Sequence, residues 1–161
     1  MKKKILSFII TLVTLCSLTA CGKEEETRIL NMEEVYQSVI TLQEDTGKEA
    51  LVMFPESSDE YLEMFYPGFS AIERLQTVAY MAPVTGFATE IILVEVTDKE
   101  DVKAMADIFE ARIDRGASDT TYPETAIHWA NNGQVHTYGN YVCMIVLPDG
   151  YIIPENVFEL E

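Results

Sequence analysis

The feature that most constrains this chain is a short apolar run that ends just before a cysteine. Residues 5–15 are apolar apart from Ser7, Thr11 and Thr14, and three lysines precede them. A helix that crosses a bilayer needs about 20 apolar residues, so this run is too short to span a membrane. A positive start, a short apolar stretch and small residues after it are typical of a secretory signal. The sequence therefore predicts that the rest of the chain is exported.

The residues Leu18-Thr19-Ala20-Cys21 refine that prediction. They resemble the lipobox of bacterial lipoproteins, which implies attachment of a diacylglyceryl group to the cysteine and cleavage before it. Two acyl chains anchor a protein stably, whereas one chain does so only marginally. We therefore expect a signal peptide over residues 1–20, lipidation of Cys21 and location on the extracytoplasmic face of the cell membrane. A plain signal peptide and an uncleaved anchor are the alternatives.

The cysteine count predicts a domain without disulfides. Of the three cysteines, Cys16 lies in the signal peptide, Cys21 is the lipidation site, and Cys143 is left. Cys143 lies in an apolar run, where burial disfavours the reactive thiolate. We expect residues 21–28 to form a polar tether and residues 29–161 to form a single globular domain, whose core is stable without a cross-link.

Acidic residues dominate the charge. The chain has 27 acidic and 11 basic residues and a formal net charge of −16. Removal of residues 1–20 takes away three lysines and no acidic residue, so the charge becomes −19. Binding to nucleic acid needs Lys and Arg to neutralise phosphates, which excludes nucleic acid as a partner. The expected partners are the membrane, through the diacylglyceryl anchor, and a protein, peptide, neutral-sugar or cationic ligand.

Capping residues and helical spacing predict two short helices near the start of the domain. Asn31 is a suitable cap for a helix that Gly47 ends, because its side chain can accept from free N–H groups. A second helix is expected from Asp59 to Phe65. Ser70 and Glu73 have the spacing of a capping box, which predicts one further helical turn with Ile72 and Leu75 facing inward.

A longer helix is predicted from Asp98, its cap, to Arg115. Val102, Met105, Ala106, Phe109 and Ile113 lie on one face of it. Basic residues in the last turn suit the negative end of the helix dipole, and Gly116 is expected to end the helix. A weaker helical pattern continues from Tyr122 to Ala130.

Four segments have the composition of β-strands: Thr77–Met81, Ala88–Thr97, Gln134–Tyr138 and Tyr141–Leu147. Gly139-Asn140 between the last two is a hairpin signal. These elements predict an α+β (or α/β) single domain with a roughly four-stranded, mostly antiparallel sheet covered by helices, placed on one face.

Three stretches carry a resemblance to a known family. They are Tyr66-Pro67-Gly68, the strand and helix start of residues 90–103, and Gly139-Asn140-Tyr141-Val142. Over residues 30 to 147 they resemble an uncharacterised family of small Gram-positive lipoproteins, domain of unknown function 4358. The resemblance implies a lipobox, a single exported domain and no assigned activity. Its motifs are packing and turn residues, so it implies no catalytic residue.

Candidates for chemistry are few. His128 and His136 would need a third ligand, such as Glu124 or Asp119, to hold a metal, and two ordinary histidines are the simpler interpretation. Asp45-Thr46-Gly47 resembles the aspartic-protease triplet but closes a helix and has no second copy.

Two further groups of residues are candidate ligand sites. Asp59, Glu60 and Glu63 can share a helical face that attracts Ca²⁺, although a solvated acidic face is the usual outcome. Tyrosines 36, 61, 66 and 80 can line a sugar or peptide groove, although such residues are more often core and rim.

The sequence therefore predicts no catalytic, cofactor-binding or metal-binding residue and no cofactor; Cys21 is the one assigned site. The expected function is a non-catalytic binding or interaction module at the outer face of the cytoplasmic membrane. An envelope-associated hydrolase and a structural accessory subunit of a membrane complex are the alternatives.

Overall fold

An antiparallel sheet lies between two layers of helices in the computed structural model, which describes residues 28–83 and 87–160. The helices are α1 (Met32–Asp45), α2 (Asp59–Phe65), α3 (Val102–Ala117) and α4 (Pro123–Asn132). The strands are β1 (Phe54–Pro55), β2 (Arg74–Met81), β3 (Glu90–Val96), β4 (Gln134–Tyr138) and β5 (Tyr141–Val146). Among the described residues, no helix combines the length and the apolar composition needed to cross a membrane. The expected signal peptide and Cys21 lie outside these residues.

The strand order is β1-β2-β3-β5-β4, and every neighbouring pair is antiparallel. All six residues of β5 are buried, as are six of the seven in β3, so these two strands form the centre of the sheet. The predicted α+β class and the four predicted strands are confirmed. A fifth strand, the two-residue β1, was not predicted and pairs with the end of β2.

Helices cover both faces of the sheet, so the expectation that they lie on one face is wrong. Ile92 and Val94 of β3 face α2, α3 and α4, whereas Ile91 and Leu93 face α1 and the C-terminal segment 151–160. Because β3 is apolar on both sides, each side needs a covering layer to be removed from water. We call these the α3 face and the α1 face.

The predicted cap of α1 is confirmed, and α2 begins with a side-chain cap that was not predicted. The Asn31 side chain accepts from the backbone N–H groups of Glu33 at 2.9 Å and Glu34 at 3.3 Å. At α2 the cap is Ser58, whose hydroxyl accepts from the N–H of Tyr61 at 3.2 Å. Both caps satisfy N–H groups that have no partner within the helix.

Two local predictions are wrong. α3 continues through Gly116 to Ala117, and Asp98 caps a 3-10 turn before the helix through the N–H of Glu100. Gly116 is needed for packing: a Cβ there would lie 2.3 Å from Cδ2 of Trp129. The indole therefore lies against the helix backbone at this point.

The capping box predicted at Ser70 and Glu73 does not start a helix. Residues 69–71 form a single 3-10 turn, and β2 begins at Arg74 because the strand residues pair with β3. Ile72 is buried as expected, but Leu75 is 63% exposed on the strand.

The hairpin turn predicted at Gly139-Asn140 is confirmed, and a second glycine turn follows β5. Gly139 has a φ of 57° in the β4–β5 hairpin, and Gly150 has a φ of 86° in the turn after β5, values that favour glycine. A single 3-10 turn, Val157–Glu159, lies near the end of the described residues.

The chain enters the fold at one end of the sheet, which we call the tether end. The Leu30 N–H donates to the Tyr141 hydroxyl at 3.0 Å, and Tyr141 pairs with Glu95 near the end of β3. Glu90 opens β3 at the opposite end, which we call the far end, beside Val146. Strands rise about 3.3 Å per residue, so the two ends lie about 20 Å apart.

Candidate ligand-binding pocket

A buried cluster of Tyr66, Glu90 and Arg112 lies on the α3 face at the far end. The Tyr66 hydroxyl donates to Glu90 Oε2 at 2.5 Å. Arg112 donates to both carboxylate oxygens, through Nε at 3.2 Å to Oε2 and through a terminal nitrogen to Oε1. The side chains of Arg112 and Glu90 are only 12% and 6% exposed. This is a bidentate pair, the geometry in which a guanidinium binds a carboxylate most strongly.

Three elements bring these groups together. Glu90 is the first residue of β3, Arg112 lies in the second half of α3, and Tyr66 comes directly after the last residue of α2. A buried carboxylate without a partner would cost several kcal/mol, so the cluster compensates a charge that the start of β3 brings into the core. The position of α3 over the sheet is thereby tied to one point of β3.

Tyr66 and Arg112 both keep their protons near neutral pH. Burial raises the pKa of Tyr66 well above its usual value, and the Glu90 charge raises it further. Burial lowers the pKa of Arg112, but the neighbouring Glu90 carboxylate outweighs that effect, so the pKa is raised overall. Tyr66 therefore remains a neutral hydrogen-bond donor and Arg112 a cation. The cluster is suited to holding structure rather than to moving protons.

Aromatic rings enclose the Arg112 guanidinium. Its Cζ lies 4.2 Å from the Trp129 ring centroid and 5.7 Å from that of Phe65. A cation over an aromatic face is stabilised by the ring quadrupole. Trp129 is fixed both by this contact and by its close approach to Gly116, and it is only 2% exposed. It forms a rigid wall.

A cavity of about 470 Å³ opens beside this wall. The residues that matter for chemistry there are Arg115, Ser118, Thr120, Phe65 and Trp129. This volume falls within the range of about 300–1,000 Å³ that is typical of small-molecule sites. The pocket combines a cation, hydroxyl groups and aromatic surface at the far end of the sheet.

Arg115 and Asp119, the two charged side chains at the mouth of this pocket, differ in their hydrogen-bond partners. Arg115 donates to the carbonyl oxygen of Phe65 and forms no ion pair within the described chain. Asp119 accepts from the N–H of Thr121 at 2.7 Å, and this hydrogen bond lowers the pKa of its carboxyl group. Arg115 thus retains donors for a ligand, whereas Asp119 closes the turn before α4.

A second concave surface at the far end is apolar. It encloses about 300 Å³ and includes Leu51, Val52, Phe87 and Tyr151. Val52 is 66% exposed and Phe87 is 59% exposed. We call it the apolar groove.

The two histidines are not brought together with a third ligand. His128 Nδ1 lies 3.2 Å from Asp149 Oδ1, while His136 lies on β4, where burial lowers its pKa. In the part of the chain that the structure describes, no group of three His, Cys, Asp or Glu side chains is placed to hold a metal. Neither Glu124 nor Asp119 completes the site considered from the sequence.

Cys143 and the Asp45-Thr46-Gly47 triplet have structural positions. Cys143 is fully buried on β5, as predicted, and burial raises the pKa of its thiol, which disfavours the reactive thiolate. The triplet ends α1, and the Thr46 hydroxyl donates to the Leu42 carbonyl at 2.8 Å.

Two of the three acidic residues of α2, Asp59 and Glu63, bind within the protein, so the helix does not present one open carboxylate face. Asp59 pairs with Arg74 at 2.6 Å. Glu63 accepts from the N–H groups of Gly68 at 2.7 Å and Ser70 at 2.8 Å, and these bonds lower its pKa. Both carboxylates stabilise the connection from α2 to β2.

The four tyrosines considered as a groove lie apart. Tyr36 and Tyr80 stack at 3.8 Å between ring centroids on the α1 face. Tyr66 is buried on the α3 face, and Tyr61 lies on the exposed side of α2, 5.0 Å from Phe65. They do not form a single binding surface.

Sequence reasoning missed the central pair. The sequence pattern assigns Arg112 to the end of α3 as a charge that suits the helix dipole, but the side chain points inward to Glu90. One signal was present: Arg112 comes three residues after Phe109 and precedes Ile113, so it lies beside the apolar face. An acidic residue opening a buried strand was the matching signal at Glu90.

The fold and pocket define a three-layered α+β domain with an open antiparallel sheet and a charged cluster beneath a small cavity. Residues 68–147 match the family described as Domain of unknown function (DUF4358), and the chain belongs to this family. The matched stretch runs from the turn before β2 to the end of β5, so α1 and α2 precede it. No curated protein and no solved structure matches the chain.

Proposed function

We propose that this protein is a lipid-anchored, non-catalytic binding module on the extracytoplasmic face of the cell membrane. The observation that carries the proposal is Leu18-Thr19-Ala20-Cys21, placed after a short apolar run and before a polar tether. A tether of residues 21–28 reaches at most about 3.5 Å per residue, so the domain would stay close to the lipid.

The layout of the domain supports an orientation in which the pocket faces away from the membrane. Arg28 and Leu30 lie at the tether end, where their N–H groups contact the hydroxyls of Tyr138 and Tyr141. The pocket beside Trp129 lies at the far end. A chain anchored through Cys21 would therefore present the pocket away from the membrane, where a ligand has access.

The state of the acidic side chains supports a non-catalytic role. Glu90 is the one buried acidic residue among those described, and Tyr66 and Arg112 occupy its oxygens. Hydrogen bonds lower the pKa of Glu63, Asp119 and Asp149. A general acid that works near neutral pH needs a raised carboxyl pKa, so these three are tuned the opposite way.

A structural accessory subunit of a membrane complex is the second candidate. The apolar groove favours it, because Val52 and Phe87 expose aliphatic and aromatic surface next to each other. Such surface is typical of protein contact sites. An envelope-associated hydrolase has less support, because the pKa values of Glu63, Asp119 and Asp149 are lowered, whereas a general acid needs a raised one.

Fatty-acid labelling in cells tests the anchor. We expect a fatty-acid analogue to label the wild-type protein and the control Cys16→Ser, and to leave Cys21→Ser unlabelled. Label that persists on Cys21→Ser, or a mature chain that begins at another residue, would contradict the proposal.

Reporter substrates test the non-catalytic role. We expect no turnover of ester, peptide, phosphoester or glycoside reporters by the purified protein. Turnover that disappears when one carboxylate or His128 is replaced would move the assignment to the hydrolase alternative.

A further inference from the structure

We propose that the pocket beside Trp129 binds a small carboxylate with one negative charge and an apolar body. This inference rests on the proposed binding role and names its ligand class. It is carried by three features of the pocket: a cation without an ion-pair partner among the described residues, an aromatic wall, and an acidic side chain that disfavours further negative charge.

The carboxylate would bind at Arg115. A guanidinium has five N–H donors in a planar fork that fits a carboxylate. One nitrogen of Arg115 is held by the Phe65 carbonyl, which orients the group and leaves donors for the cavity. The hydroxyl groups of Ser118 and Thr120 line the same cavity and can complete the hydrogen bonding of an oxyanion.

Arg112 is not available for this role. Its charge is matched by Glu90 and its guanidinium is enclosed by Trp129 and Phe65. Selectivity for an anion therefore depends on Arg115, which makes the assignment testable at one residue. The Glu90 pair contributes by holding the wall of the pocket in place.

The apolar body of the ligand would pack on Phe65 and Met64, which line the cavity together with the almost fully buried Trp129. Met64 is 70% exposed, and a bound ligand would cover it. A methionine side chain adapts to irregular shapes and makes favourable contacts with aromatic groups. The volume of about 470 Å³ admits a phenylpropanoate-sized molecule.

Charge limits the ligand to a monoanion. Asp119 lines the same cavity, and the chain as a whole carries −16. A second negative charge on the ligand would be repelled by Asp119 at short range, and an anionic polymer would be repelled by the surface. Inorganic phosphate, which is largely a dianion above pH 7, is therefore expected to bind poorly.

The experiment uses the full chain in a nonionic detergent at pH 7.5. Trp129 is the single tryptophan of the sequence, so its fluorescence reports on this pocket alone. Three probes are titrated: 3-phenylpropanoate, its neutral amide, and inorganic phosphate. We expect saturable quenching or a spectral shift with the carboxylate, and at least tenfold weaker responses to the amide and to phosphate.

Two variants of α3 complete the test. Arg115→Gln removes the proposed anion contact, and Lys103→Gln removes the same charge from an exposed position paired with Asp107. Charge-assisted hydrogen bonds are strong enough that we expect Arg115→Gln to weaken carboxylate binding by roughly tenfold or more. We expect Lys103→Gln to change it by less than about twofold, because that charge lies outside the pocket.

Each other outcome overturns a defined part of the inference. Equal binding of the amide, or an unchanged affinity in Arg115→Gln, would show that the pocket does not select a carboxylate, while the binding role would stand. Phosphate binding as strong as that of 3-phenylpropanoate would show that the ligand needs no apolar body. No response to any probe would overturn the ligand class, and the labelling of Cys21 would still test the anchor separately.

Discussion

The two faces of the sheet bury polar groups in different ways. On the α3 face, Glu90 and Arg112 form a charged pair under a pocket. On the α1 face, the neutral amide of Gln43 donates to the Ile152 carbonyl at 2.7 Å and accepts from its N–H at 2.9 Å. The first arrangement supports a cavity, whereas the second attaches the C-terminal segment to α1.

This difference coincides with the position of the cavity, which lies on the α3 face next to the charged pair. A buried amide that makes two hydrogen bonds closes the core without a net charge. A buried ion pair carries a large desolvation cost, and it is retained here next to the cavity wall built from Trp129. Four substitutions test this contrast, in order of decreasing effect on the free energy of unfolding of residues 29–161.

Phe109→Ala tests the packing of the α3 face. Phe109 is fully buried among Tyr66 and Phe69, so its removal leaves a cavity, and we expect a loss of about 3–5 kcal/mol in urea unfolding. Glu110→Ala, on the exposed side of the same helix, is expected to change stability by less than about 0.5 kcal/mol. Small and equal losses would show that α3 does not cover the sheet as described.

Glu90→Gln tests the charged pair directly. The amide has nearly the same shape but leaves Arg112 without a compensating charge, and we expect a loss of about 3 kcal/mol. The control is Glu95→Gln: Glu95 is half-buried at the tether end, where it accepts from Gln76 at 2.5 Å. A loss at Glu90 no larger than at Glu95 would remove the distinction between the faces.

Gly116→Ala tests the position of Trp129, because whether the change stabilises or destabilises the protein depends on where the indole lies. Replacing an internal helical glycine by alanine normally stabilises a helix by about 1 kcal/mol. Here the new Cβ would overlap the indole, so we expect a loss of about 1–3 kcal/mol and a shift of the tryptophan emission. A gain in stability would mean that the ring does not lie against the helix.

Gln43→Leu tests the neutral arrangement on the α1 face. The change leaves the N–H and the carbonyl of Ile152 without their partner, and we expect a loss of about 1–2 kcal/mol. The control is Gln37→Leu on the exposed side of α1, with an expected change below about 0.5 kcal/mol. A loss larger than that of Glu90→Gln would show that the buried amide of the α1 face contributes more to stability than the charged pair of the α3 face.

Local signals made much of the fold predictable. Asn31 marked the start of α1, and Gly139-Asn140 marked the last hairpin, because caps and tight turns are determined by neighbouring residues. The apolar runs of β3 and β5 indicated central strands. The sequence does not predict β1, because two residues are too few to show the alternation of a strand. The capping box at Ser70 does not start a helix, because the residues that follow pair with β3 as strand β2.

The candidate site depended on contacts between distant residues. Glu90 and Arg112 are separated by 22 positions and meet only when α3 lies on the sheet. The sequence pattern wrongly predicts Gly116 as a helix end, because the close approach of Trp129 from α4 that requires the glycine is a tertiary contact. Periodicity places a residue on a face of its own element, but it does not identify the partner on another element.

A double-mutant cycle on the buried pair tests the central claim, which is that Glu90 and Arg112 organise the α3 face together. The free energy of unfolding is measured for the wild type, Glu90→Gln, Arg112→Met and the double variant. We predict that the double variant loses less stability than the two single losses added together, by about 1–3 kcal/mol, because removing both charges leaves neither one buried alone. Losses that simply add would show that the two side chains act independently, and would contradict the claim.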